Sequence, residues 1–186
     1  MQPHPPHITP DAGPALRLLR EHGATAMDHP GGTLLAHLQR VQRQLADWGA
    51  RPDLQLAGLC HAFYGTDGFA QALLPLERRA ELVAAIGTEA EELVHFYAAC
   101  DRKVAYGSTG TYRDRFTDET RTPTAQERRD FAELTAANEL DLAVIDEDFR
   151  RRHGAGLLDL FTSMRPDLSE AAWRSCVEIL GERAEP

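Results

Sequence analysis

The chain has almost no lysine: Lys103 stands alone among 186 residues, and the formal net charge is -9. A nucleic-acid surface needs clustered cations to displace the counterions of phosphates. Here the arginines are scattered or interleaved with Glu, which excludes nucleic acid as a partner. Cysteine is equally scarce. Three thiols, Cys60, Cys100 and Cys176, with no C-x-x-C pair, exclude a disulfide framework and predict a reduced compartment. Cys60 and Cys100 read as small core residues. Long apolar runs are missing too. No stretch approaches the ~20 residues of a membrane-crossing helix, and Met1 to Gly13 has neither a basic n-region nor an apolar h-region, so a cytoplasmic protein with no membrane partner is expected. Sustained alternation of period two is also absent, which predicts an all-α fold.

What the chain does have is helical periodicity punctuated by caps and glycines. Its length suits one domain with a substantial core. Residues 1–10, rich in proline, are predicted to form an extended N-terminal arm in which His4 and His7 offer at most adventitious metal binding. Residues 11–186 are predicted to form a single helical domain, with its core over 30–145 and a C-terminal helical extension over 146–186. Asp11 is read as the cap of a short helix ending at Gly23, and Thr33 as the cap of the next. Leu76 to Ile86 reads as a helix closed by Gly87. Thr88 and Glu91 read as a capping box for a helix that places Val94, Tyr97 and Asp101 on one face. Lys103 to Pro123 reads as a long loop, a functional cover or a mobile segment. Thr124 and Glu127 form a second capping box, opening a long helix with Phe131, Leu134, Asn138, Leu142 and Ile145 on one stripe. Asn138 therefore faces inward, where it either clamps a neighbouring backbone, the preferred reading, or contacts substrate. Two further helices follow, the last between Ser169 and Gly181.

The organising stretch is His37 to Thr66. Leu34, Leu38, Val41, Leu45 and Trp48 recur at threes and fours until Gly49, and His37 lies on that apolar seam. Asp53 is read as the cap of a second helix, in which Ala57 and Gly58 permit close approach and which carries His61 near its end. Two inward-facing histidines on adjacent helices can meet at one point. A carboxylate on an apolar face, as read for Asp101, requires a metal, an arginine such as Arg79 or Arg102, or exposure at a helix end. His29, beside Pro30 and two glycines, is either a turn residue or a further ligand or acid/base. Tyr64 is either a core tyrosine bonded to a carbonyl or a hydrogen-bond donor in the site.

The pattern H-x-x-x-V, a turn and then A-G-L-C-H resembles the first two elements of the HD-domain superfamily, in the branch containing the stringent-response nucleotide hydrolases. The segment Ile86 to Val94 followed by Cys100-Asp101-Arg102 is similar to its later helix and last metal-ligating aspartate. The closest likeness is to an HD-like family with H-x-x-Y-G-T in place of the HD dipeptide, here His61 to Thr66. The resemblance implies an HD-domain-like helical bundle with His37, His61 and Asp101 as metal ligands. Ala62 stands where a bridging aspartate would be, so one divalent metal is the expectation. Two imidazoles and a carboxylate with open positions are the ligand set of mononuclear non-haem Fe(II) oxygenases, which favours Fe(II), with Mn or Zn also satisfied. The expected function is a metal-dependent oxygenase or related oxidoreductase acting on a small molecule. A phosphoester or nucleotide hydrolase is the alternative, and a non-catalytic ligand-binding remnant the third. Tyr64 and His29 are then the candidate catalytic groups, and Thr66, Arg79, Arg102 and Asn138 the candidates for contacts to substrate or to the ligands.

Overall fold

The computed structural model describes residues 10–107 and 110–181. The proline-rich arm, apart from Pro10, lies outside the described residues. The rest is an all-α bundle, as the missing period of two implies. Helix α1 spans Gly13–Glu21 and is followed by a minimal hairpin of β1, Asp28–His29, and β2, Gly32–Thr33. Helices α2, Leu34–Asp47, and α3, Pro52–Cys60, come next, then α4, Arg79–Ile86, and α5, Thr88–Ala99. A short α6, Arg102–Gly107, precedes a second hairpin, β3, Tyr112–Arg113, with β4, Thr120–Arg121. The long α7, Ala125–Ile145, and helices α8, Glu147–Ser163, and α9, Glu170–Leu180, complete the chain.

Helix α2 forms as its sequence indicates. Thr33 Oγ1 accepts the Ala36 N–H at 3.2 Å, Leu34, Leu38, Val41 and Leu45 are buried on one face, and Gly49 at φ 76° ends the helix. Each fully buried leucine contributes about 1.5–3 kcal/mol relative to an exposed one. Helix α3 packs on this face closely enough that a Cβ on Gly58 would collide with the Leu45 side chain. Its cap differs from the expectation. The chain enters the helix from Arg51 with Pro52 in the first turn, and Asp53 lies inside that turn. Proline has no N–H to satisfy and a φ already suited to a helix start, so it sets the boundary.

Two further expectations are corrected. Gly87, at φ 85°, precedes α5 directly, so Thr88 is already helical and no capping box forms there; Glu91 turns into the core instead. The stretch Lys103 to Pro123 is not one loop. It holds α6 and the β3–β4 hairpin, whose Tyr112 is buried against a stacked Phe96 with ring centroids 4.4 Å apart. Two-residue strands are too short for a period of two to show. The box of Thr124 and Glu127 forms as read, and α7 then runs between two apolar clusters, one built with α1 to α5 and one with α8 and α9. Among the described residues no helix is long and apolar enough to cross a membrane.

Candidate functional site

A cavity of about 390 Å³ opens where the β1–β2 hairpin, the ends of α2 and α3 and the face of α7 meet. His29, His37, His61, Thr66, Arg102, Asn138 and Glu139 line it. Sequence reasoning had named six of these; Glu139 is the addition. A second cavity of about 460 Å³, with Phe96, Tyr112, Phe131 and Met164 on its walls, holds none of the histidines.

His37 is 1% exposed and fixed at both ring nitrogens. Nδ1 lies 2.6 Å from Asp141 Oδ2, and Arg40 holds the same carboxylate through Nε at 2.6 Å and Nη2 at 3.0 Å. Burial alone would raise the Asp141 carboxyl, but the hydrogen bonds from His37 and Arg40 more than offset it and keep it below the usual range. An ionised Asp141 requires the proton of His37 on Nδ1. Nε2 then faces Asn138 Oδ1 at 3.1 Å. That contact is satisfied if His37 is an imidazolium, if the amide turns its NH₂ toward a neutral ring, or if both atoms bind one cation.

His61 ends α3. Its Nδ1 lies 2.8 Å from Gly58 O, so the ring donates to a carbonyl of the last helical turn and Nε2 carries the lone pair. Among the described residues Nε2 has no hydrogen-bond partner. Burial, and then the neighbouring His37, push the His61 pKa down to about 3, so the ring is neutral. The His37 and His61 ring centroids are 5.4 Å apart at 80°. His29 stacks on His37 at 4.2 Å, and among the described residues its buried Nδ1 has no partner. Burial and the His37 charge lower its pKa to about 4.

Asp101 is not in this group. Helix α5 stops at Ala99, Cys100 is extended, and Asp101 caps α6, its Oδ1 accepting Lys103 N–H at 3.0 Å and Val104 N–H at 3.2 Å. Its Oδ2 lies 3.7 Å from Arg113 rather than from Arg79 or Arg102, and the side chain is 21% exposed. The carboxylates on the cavity wall are Glu139 and Asp146. Tyr64 and Arg79 also lie off the cavity. Both bind Glu91, the tyrosine at 2.6 Å, and burial first, then this hydrogen bond, push its phenol well above the usual range. Tyr64 is therefore a structural donor, not an acid or base for this site. Among the described residues Asn138 makes no backbone clamp; it meets His37 and donates to Glu139 Oε1 at 3.1 Å.

Sequence reasoning missed Asp141, Arg40 and Glu139. Asp141 lies three after Asn138 and Arg40 three after His37, so each shares a face with a residue already read as inward, and that spacing was the available signal. Among the described residues no three His, Cys, Asp or Glu side chains converge on one metal position.

Residues 18–102 match the model of a family described as a domain of unknown function, DUF6817. The matched segment contains all three cavity histidines and Arg102, while Asn138, Glu139 and Asp141 lie beyond it. No curated protein and no solved structure matches the chain.

Proposed function

We propose that this chain is a metal-dependent enzyme of HD-like fold that acts on a small molecule in the His37–His61 cavity. One observation carries the reading. Both imidazoles spend Nδ1–H on a fixed acceptor, Asp141 for His37 and Gly58 O for His61, which leaves Nε2 as the lone-pair atom of His61, and of His37 when its ring is neutral and the Asn138 contact is given up or shared with an ion. Metal-bound histidines have this arrangement, since the outer hydrogen bond sets the tautomer and orients the ring. The two rings meet edge to face on the wall of one cavity, their centroids 5.4 Å apart.

The histidine pair fits a divalent metal, and Asp101 does not. His37 and His61 would hold the ion, with Asn138 or Glu139 the adjacent cavity-wall groups able to add an oxygen. The preference for Fe(II) rested on Asp101 as third ligand. Without it the set is two imidazoles, which suit Zn or Fe(II) better than the oxygen-preferring Mn. Bound there, the ion would act as a Lewis acid or redox centre. The chain's own groups do the rest: Asp141 and Arg40 fix His37, and His29, half-buried beside His37, is neutral at pH 7 and able to accept a proton. A second reading, a ligand-binding protein without catalysis, is favoured by the lack of three convergent His, Cys, Asp or Glu groups among the described residues.

Metal content per chain decides between the two. Protein supplied in turn with Fe(II), Mn and Zn under reducing conditions should take up one ion. His37→Ala and His61→Ala should lose it, and Asp101→Ala should keep it. Wild-type protein that binds none of the three, or binding indifferent to both histidines, would leave the ligand-binding reading in place. Oxygen uptake with Fe(II), set against phosphate release with Mn(II), then separates oxidation from hydrolysis.

A further inference from the structure

Arg102 enters the cavity wall as a partly buried cation whose hydrogen bonds are incomplete. Its side chain is 15% exposed. Nη2 donates to Tyr97 OH at 3.0 Å, and the ring of Tyr97 lies 5.3 Å from the guanidinium carbon. The nearest carboxylate, Glu139, reaches only Nη1, at 3.4 Å, and the same Oε1 also accepts from Asn138 at 3.1 Å. Among the described residues the buried Nε–H has no acceptor. A guanidinium presents donors in a fork that matches two oxygens of one anion, and here part of that fork is unused inside a cavity.

Its surroundings suit the same ligand. The loop after His61 passes close to the guanidinium, where a Cβ on Gly68 would stand 3.1 Å from Nη1, tight enough that the arginine would have to shift slightly. Thr66 lines the same wall. Its Oγ1 accepts the Phe69 N–H at 3.1 Å, which leaves the hydroxyl hydrogen to be donated elsewhere.

We propose that the small molecule taken by this cavity is an anion, and that Arg102 with the Thr66 hydroxyl binds its carboxylate or phosphate oxygens. This rests on the cavity being the functional site, as proposed above, but not on the metal. Arg102 is thus a specificity-determining residue, and an uncharged analogue of the substrate would leave a buried cation with an unmade hydrogen bond.

The test reads the Arg102 Nε–H directly. Full-length, ¹⁵N-labelled, chelator-treated protein is titrated with propionate and with inorganic phosphate, with propionamide and equal ionic strength of chloride as controls. The Arg102 Nε–H signal, assigned by its loss in Arg102→Gln, should move saturably with one or both anions and with neither control. Which anion moves it identifies the group. Arg102→Lys, with folding checked by circular dichroism, should bind the effective anion about tenfold or more weakly, because an ammonium lacks the fork. Should that variant not fold, the wild-type titration decides by itself. No saturable movement with either anion, or equal movement with chloride, overturns the proposal. Metal content measured in parallel keeps the two readings apart: anion binding without metal uptake sinks only the metal, and metal uptake without anion binding sinks only Arg102.

Discussion

His37 Nδ1 and Asp141 Oδ2 lie 2.6 Å apart across 104 positions of sequence. The contact joins α2 to α7, and Arg40, one turn beyond His37, holds both oxygens of the same carboxylate. Asp141 is buried, so its charge is tolerated only because two partners meet it. This makes Asp141 a positioning residue for His37 and not itself a ligand.

Asp141→Asn should therefore weaken metal binding by about 10–100-fold while leaving one site per chain. The amide can still accept from Nδ1–H, but it loses the charge that holds Arg40 and fixes the His37 tautomer. Competition against a chromophoric chelator measures the change. An unaltered affinity would show that His37 needs no such support and would remove the main argument for it as a ligand.

A pH-dependent contribution is placed far from the site, at the start of α7. Glu127 accepts from Arg121 and, as its half of the capping box, from Thr124 N–H, and these bonds lower its pKa from 4.5 to about 2, the Arg121 bond foremost. A carboxyl depressed in the fold stabilises above its unfolded pKa, and that contribution is lost as the pH falls toward the folded value. The pair lies at the surface, Arg121 46% and Glu127 27% exposed, and solvent screening discounts its worth to about 1 kcal/mol. Glu127→Gln should cost about that much at pH 7, and the gap from wild type should shrink to less than about half by pH 3. Urea melts of both proteins across that range measure it; a gap independent of pH would assign the effect to lost packing.

The sequence made the helices and the histidine pair legible because both depend on local spacing. His37 lies on a seam whose period is unbroken from Leu34 to Trp48, and Gly49 marks its end. Asp101 was misplaced for the converse reason. Counting four from Tyr97 presumes a helix that continues, whereas α5 stops at Ala99 and the face ceases to exist two residues before the aspartate. Glu91 shows a similar conflict. Thr88 and Glu91 have capping-box spacing, but Gly87 in a left-handed conformation takes the cap position and frees the glutamate for the core. Asp141 and Glu139 carry charges that read as solvated. Their burial follows from Arg40, His37 and Arg102 arriving from other helices, which local spacing does not report.

The buried Glu91 gives the last prediction. Its carboxylate is 1% exposed and takes three donors, Tyr64 OH at 2.6 Å and Arg79 Nε and Nη2 at 2.7 Å each. The cluster ties α4 to α5 and to the turn that follows His61. Arg79 is 37% exposed, so its charge would return to water if Glu91 were removed, whereas Glu91 has no such route. Removing the arginine should therefore be the more damaging change. Arg79→Ala is expected to cost about 3–5 kcal/mol, the scale for an uncompensated buried charge, and Tyr64→Phe about 1.5–3 kcal/mol for one hydrogen bond to a charged group. Glu91→Gln, which keeps the shape and removes the charge, should cost less than Arg79→Ala. Denaturant melts of the three variants give the order, and metal content should be the same in every variant that folds. If Tyr64→Phe kept wild-type stability and lost its metal or its activity, Tyr64 would return to the site as a functional group and the structural account of this cluster would be wrong.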